Sequence, residues 1–411
     1  MPSRILLLSK AQGFVQVKDD RPAKGQNAEK EHDMRMTGNW TRKARLIAAL
    51  GSAAMAAVAT CSGVNAQSVA FIEQVGDYNQ TSIDQSGATG STARAQTKGS
   101  ENLLDLTQSG QGNRAVVSVT GNRNGRGDVV GGTGRTMAFE PKRLTGLAQG
   151  SFKVKHANNG QGDPCGEGHG RGVGNPCESN NGNDGENGNA GLKALRSSIT
   201  LTPLANLESG VIRQSGERNL AGVLIKGDSN DFHVSQLGND NKAAQAISGS
   251  FNQAAIVQGT PNGATGGGNS AVQVQHGGFN SAYAHQAGNN NIAVQVQAGN
   301  GGATQAWAET ALASAGTLGA AAGSANYTQS AEAVLASYSD RGDGTKNSIT
   351  LQQNGDNNTA LLGQFGDNNS IALRQPGNAT AAITQIGNNH SIGIEQQAGT
   401  NGVSAISVTQ Y

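Results

Sequence analysis

The chain has 411 residues, 30 Lys and Arg against 29 Asp and Glu, 60 Gly, 14% charged residues and only 4% aromatic ones. Such a composition is wrong for an ordinary globular enzyme and suits a Gln/Asn/Gly-rich repeat. The near-neutral balance leaves no basic footprint for nucleic acid. Length does not count domains in a repeat array, which grows without adding any.

The first distinct element is "TRKAR", then "LIAALGSAAMAAVAT", then "CSGVNA". A basic region, an apolar run and small residues describe a secretory signal peptide over 36–66, with cleavage after Ala66. Residues 1–35 read as a non-native leader from an upstream start, with Met34 or Met36 as the true start. The apolar run is too short and Ala-rich for a transmembrane helix, so no transmembrane segment is expected. Cys61 raises a lipoprotein alternative, which Thr60 fits poorly. Residues 1–66 hold ten Lys and Arg and five Asp and Glu, so the mature chain keeps 20 against 24, a net charge of about −4.

From there a clock of eleven runs through 67–124, 211–300 and 346–411. Gln74, Gln85 and Gln96 keep it, as do Gln214, Ile225, Gln236, Ile247 and Gln258, then Gln275, Gln286 and Gln297, then Gln353, Gln364 and Gln375. A fixed short period of this kind decides the fold. Steps of two from an Asn give Asn358, Ala360, Leu362, Gln364 and Asn252, Ala254, Ile256, Gln258. Period two is a β-strand with one apolar face between an Asn and a Gln. The other face carries Thr, Ser, Gly and Arg and is expected to meet solvent. Between strands, "FGDNN", "LGNDN" and "SGERN" are turn chemistry, with Gly and Asn supplying positive φ.

Two units make a flat coil of about 22 residues that cannot bury its apolar face alone. The expected fold is all-β, a β-solenoid of stacked strand-turn-strand rungs. Inward amides then lie above one another and bond along the stack. The expected inward ladder residues are Gln74, Asn79, Gln85, Gln108, Asn113, Gln214, Asn219, Gln236, Asn241, Asn252, Gln258, Gln275, Asn280, Gln286, Asn291, Gln297, Gln353, Asn358, Gln364, Asn369, Gln375, Gln385, Gln396 and Gln410. The expected turn glycines are Gly76, Gly110, Gly216, Gly227, Gly238, Gly249, Gly277, Gly288, Gly355, Gly366, Gly377 and Gly387.

The clock slips in places. Gln96 to Gln108 is one residue long, and Gln375 to Gln385 is one short. Slips fit in turns, because in a strand they would flip every side chain. "TPNGATGGGN" after Gln258 reads as a loop at one corner. Residues 125–210 are a Gly/Asn-rich insertion with too little apolar area to order itself. Within it Cys165 and Cys177 read as a small disulfide loop or two free thiols, since a metal site wants tighter spacing and more ligands. The Ala-rich segment 301–345 is either an irregular rung near Tyr327 and Gln329 or a short helix over 303–315.

Other chemistry is sparse. His233, His276 and His285 fall at repeat positions, and His390 takes the Asn place in its unit. RGD occurs at Arg126–Asp128 and Arg341–Asp343, in segments read as flexible. No Ser-His-Asp set or carboxylate pair stands in a plausible cleft, so no catalysis and no cofactor are assigned. The strand Ser404, Ile406, Val408, Gln410 runs to Tyr411, and no capping helix or charged block is visible, so the tips are expected to be open templates.

The pattern Q-x-G-x-x-N-x-A-x-x-x-Q, carried most closely by "QLGNDNKAAQAI", "QFGDNNSIALRQ", "QHGGFNSAYAHQ" and "QAGNNNIAVQVQ", resembles the curlin repeat of curli subunits, the secreted functional amyloid of bacterial biofilms. The resemblance covers roughly 68–124, 211–300 and 346–411. It implies a fibre subunit or nucleator, exported unfolded through an outer-membrane pore with periplasmic chaperones of a curli-like system. Such a subunit pairs with itself, or with another curli-type subunit, in an extracellular pilus-like fibre that serves adhesion and biofilm matrix. The added length and the interruptions favour an accessory subunit. A monomeric secreted solenoid adhesin or ligand-binding surface protein is the alternative. An ice-binding surface wants regular outward Thr rows, whereas Leu361, Ser370, Arg374 and Lys242 vary.

Overall fold

The computed structural model describes residues 68–127, 207–259, 266–396 and 404–411, with shorter pieces at 6–9, 16–17, 45–50, 55–60, 135–137, 139, 142–144, 152–158, 199–201, 203 and 204. Successive strands alternate between two parallel sheets. The first runs from Val69–Val75 through Thr92–Lys98, Arg114–Thr120 and Leu220–Lys226 to Ala379–Ile386 and Ser404–Gln410. The second runs from Asn79–Asp84 through Leu103–Gln111 and Val211–Ser215 to Ser370–Gln375 and Ser391–Glu395. The protein is a β-solenoid. Partners lie 22 residues apart, as Leu220 with Lys242 and Gln236 with Gln258.

Three larger insertions stretch that interval without changing any face. Asn241 lies under Asn269 across 28 residues, Asn280 under Asn347 across 67, and Asn113 under Asn219 across 106. The strands therefore keep register while the excess leaves through corners, because a one-residue slip inside a strand would turn its apolar set outward.

The core lies between the sheets. Ala70, Ala93, Ala115, Ala221, Ala243, Ala271, Ala293, Ala360 and Ala381 form one column beside Ile, Val and Leu columns, all buried. Small and β-branched residues suit this narrow, pleated space.

The expectation of a solvent-facing outer side fails for the middle rungs. On the first sheet, outward Leu224, Ala244, Ala246, Val272, Val274, Val294 and Val296 are buried under two helices. These are Gln305–Ala321 and Tyr327–Ala336, so the Ala-rich segment is a helical hairpin, longer than 303–315 and without an irregular rung at Tyr327. Thr304 starts the first helix, its Oγ1 accepting from Trp307 N at 3.3 Å. Ala308, Ala311, Leu312, Ala315 and Leu318 then recur at helical spacing on the buried face. On the second sheet, outward Ala255, Val257 and Tyr283 lie under Met137 and Leu207, with Phe139 and Leu204 beside them. Leu201 covers Ala372 further along. These covering residues belong to the insertion 125–210.

The tips also differ from expectation. At the first rung, Met55–Thr60 and Arg45–Leu50 pair antiparallel with Val69–Val75 and Asn79–Asp84. At the last rung, Phe152–Asn158 pairs antiparallel with Ser404–Gln410. An exposed sheet edge attracts any strand in reach, and the chain supplies its own. The cleavage point Ala66, Cys61, Cys165 and Cys177 lie outside the described residues.

Candidate assembly interface

One ladder runs the length of the second sheet. Nε2 of Gln85 donates to Oε1 of Gln108 at 2.8 Å, Gln108 to Gln214 at 2.7 Å, and Gln214 to Gln236 at 2.8 Å. Gln236 donates to Gln258, Gln258 to Gln286, Gln286 to Gln353, Gln353 to Gln375 and Gln375 to Gln396, at 2.7–2.9 Å. The second Nε2 proton is used as well, for Gln236 on Leu220 O and for Gln286 on Ser270 O, both at 3.1 Å across the core. Each amide thus ties its own rung together and ties it to the next.

The first sheet holds a shorter ladder, Gln275 to Gln297, Gln364, Gln385 and Gln410, at 2.7–2.9 Å. Gln275 Oε1 has no partner, because Ile247 occupies the position below it. Gln74, at the far end of the same column, is parted from this ladder by Thr97, Val119, Ile225 and Ile247, and its Nε2 donates to Thr81 Oγ1 at 2.8 Å. All ladder residues named from sequence are buried except Gln85, which is half-buried.

The asparagines do a different task. Oδ1 of each accepts the backbone N–H of the Asn one rung on, as Asn79 from Asn102 at 3.0 Å and Asn252 from Asn280 at 3.0 Å. Nδ2 donates to a turn glycine carbonyl of the following turn, as Asn219 to Gly238 O at 2.8 Å. Asn241, Asn291, Asn358 and Asn369 repeat the scheme. His390 ends this column, its N–H on Asn369 Oδ1 at 2.9 Å.

The twelve turn glycines have φ between +93° and +137°. At Gly227 the reason is double: φ is +127°, and a Cβ would sit 1.9 Å from Gly249 O on the next rung. The second left-handed position of the turn is the residue before the ladder Asn. Asn290, Asn357 and Asn368 hold it, and so do Tyr78, Phe251 and Phe279. Phe251 and Phe279 stack at 5.0 Å on the surface.

Some ladder residues escaped the sequence list. Asn102, Asn124, Asn230, Asn269 and Asn347 are buried members of the Asn columns. Gln245, Gln273 and Gln295 form a third ladder mid-strand, at 3.0 and 2.8 Å. Counting two and four from Asn241 reaches Ala243 and Gln245, so the signal was present. Gln96 is misplaced by the clock: it faces out to Glu73 Oε2 at 3.0 Å, and Thr97 holds the inward position. The extra residue lies in the turn before it, not after.

The other sequence features are structural. Burial pulls the His233 imidazole down to about 4, although its Nδ1 lies 2.9 Å from Glu208 O. His285 is lowered by burial too. The second RGD is not free: Arg341 stacks on Trp307 at 4.5 Å and donates to Gly301 O at 2.8 Å. Among the described residues no cluster of His, Cys, Asp or Glu could hold a metal, and no helix is long and apolar enough to cross a membrane.

Inside the stack Gln245 Oε1, Gln253 Nε2 and Gln275 Oε1 lack partners, and two further unmatched amides lie at the tips. Gln74 Oε1 at the first rung and Gln410 Nε2 at the last are buried without a hydrogen-bond partner. Leaving such a group unpaired costs roughly 1–3 kcal/mol. Parallel rungs bonded by amide ladders define a class of stacking repeat proteins. Residues 99–125, 209–243 and 344–377 match the curlin associated repeat, so the chain carries three stretches of curlin repeat. No curated protein and no solved structure matches it.

Proposed function

We propose that the protein is a secreted, self-assembling fibre subunit of curli type, in which the last rung of one copy receives the first rung of the next. Curlin repeats point to amyloid-forming fibre subunits in general. The observation that carries the reading is the complementary pair of unmatched amides. Gln410 lacks an acceptor and Gln74 lacks a donor, at opposite tips of the same column. A second copy in register would supply each with the other. The leader strands on the first rung belong to the segment read as a signal peptide, and export with cleavage after Ala66 would uncover that tip. The helical hairpin and the long insertion favour an accessory or nucleating subunit contributing to surface adhesion and biofilm matrix.

The strands paired on both tips favour the second reading, a monomeric solenoid adhesin. The deciding experiment refolds residues 67–411 from denaturant. Thioflavin-positive fibres, with a lag that preformed seeds abolish, support the first reading. Protein still monomeric and thioflavin-silent after days at tens of micromolar supports the second.

A further inference from the structure

The insertion 125–210 does not merely hang from the solenoid. Its first contacts are low on the stack, where the Arg135 guanidinium pairs with Asp105 and donates to Ser209 O at 2.9 Å. Leu204 N then donates to Tyr283 Oη at 3.1 Å, and Phe139 lies 5.3 Å from the same ring. Leu201 packs on Ala372, nearer the last rung. Thr136–Met137 pairs with Leu207–Glu208, and Lys142–Leu144 with Ile199–Leu201. These contacts climb the outer face of the second sheet toward the C-terminal tip, where Phe152–Asn158 lies on Ser404–Gln410.

We infer that the insertion is a strap whose strand Phe152–Asn158 guards the last rung and is displaced by the first rung of a second copy. This rests on the self-assembly reading above. Four observations carry it. The pairing is antiparallel in an otherwise parallel stack, and in its register Phe152 stands opposite Gln410, so the strand brings no amide to that column. Gln410 Nε2 stays unmatched beneath it. Parallel addition of Val69–Val75 from another copy would place Gln74 there instead. The strap also covers one sheet only, because among the described residues no strand pairs beyond Ser391–Glu395 in the second sheet. An incoming copy can engage that strand first and then peel the other. The strand's sequence, "FKVKHAN", carries Lys153 and Lys155, the residue type that natural sheets use on edges meant to stay unpaired.

The test uses the full chain and Val154→Pro, which removes a donor from the middle of the guarding strand. Hydrogen exchange of the soluble protein is read first. Amides of 404–410 should exchange at least ~10-fold faster in the variant, with 359–365 unchanged. Equal exchange in both chains overturns the strap. Assembly is read second, after removal of the leader by a protease site placed at Ala66. The variant should show a shorter lag and faster seeded growth. Faster exchange with unchanged growth overturns the guarding role. Faster exchange with no fibres from either chain leaves the strap standing as a structural tie and removes the self-assembly reading instead.

Discussion

Tyr327 lies flat on Gly222. A Cβ at Gly222 would stand 2.5 Å from the tyrosine ring, whose Oη donates to Gln245 O at 2.8 Å one rung along. The outward glycine in "LAGVLIK" is therefore a seat for the helical hairpin, which sets one fully buried ring there. Burial and loss of solvation raise that phenol well above its ordinary value, so it stays a donor at any ordinary pH.

Gly222→Ala should lift Tyr327 and loosen the hairpin, at a cost of about 1–3 kcal/mol for overpacking. Trp307 reports it, since the indole lies 5.1 Å from Phe365 and 5.9 Å from Tyr338. Chemical denaturation followed by tryptophan fluorescence should show an earlier hairpin transition. An unchanged profile would mean the ring has room to move.

Gln364 accepts from Gln297, and it donates to Gln385 at 2.9 Å and Ser348 O at 3.2 Å. Gln364→Ala leaves amides unmatched on both neighbouring rungs, a loss of roughly 2–4 kcal/mol. Asn369→Ala removes the acceptor for His390 N–H and should act in the same direction. Arg374→Ala, on the outer face with Glu395, should cost under about 1 kcal/mol. Denaturation midpoints and fibre growth rates should rank the three alike, and equal effects would undo the assignment of faces.

Gly227→Ala meets both a left-handed backbone and a carbonyl 1.9 Å away, whereas Gly87 has φ +77° with nothing within 4 Å. Substitution at Gly87 should cost only the backbone penalty, about 1–2 kcal/mol. At Gly227 the rungs must part, and soluble folded protein should be largely lost. Comparable yields of the two variants would show that the corner can relax.

His233 gives the clearest pH dependence. Its folded value, about 4, lies below the ordinary 6.5, so the unfolded chain binds the extra proton first. The associated stability is complete above pH 6.5 and is lost as pH falls from 6.5 toward 4, to the order of 3 kcal/mol. The ring faces Glu208 O on the insertion, so acid should release that segment early. Hydrogen exchange at 207–208 should rise between pH 6.5 and 4, and His233→Gln should flatten the rise.

The rungs were legible because their chemistry is local. Period two from an Asn, a Gln at the far end and a Gly two residues later fix a strand, its face and its corner. Gln245 was equally legible by parity, but the clock of eleven pointed at Ile247. The coverings were not legible. Val272 and Val294 sit on the outward parity, and nothing local says that Ala311 and Leu318, tens of residues later in sequence, return to cover them. The same holds for Tyr283 beneath Leu204. The Thr97 shift was ambiguous because one extra residue fits the turn on either side of the strand.

The helical hairpin covers the middle rungs of one broad flank and the insertion covers part of the other, so little bare β-structure is left on the middle of either flank. Sheets with naked flanks zip together sideways into bundles; these flanks are upholstered. A thread of such rods would be single-file. Ten strands of the first sheet at ~4.8 Å spacing give each rod a length of about 48 Å. The hairpins would then stand out along the thread as knobs at that interval, a beaded outline that smooth, uninterrupted stacks lack.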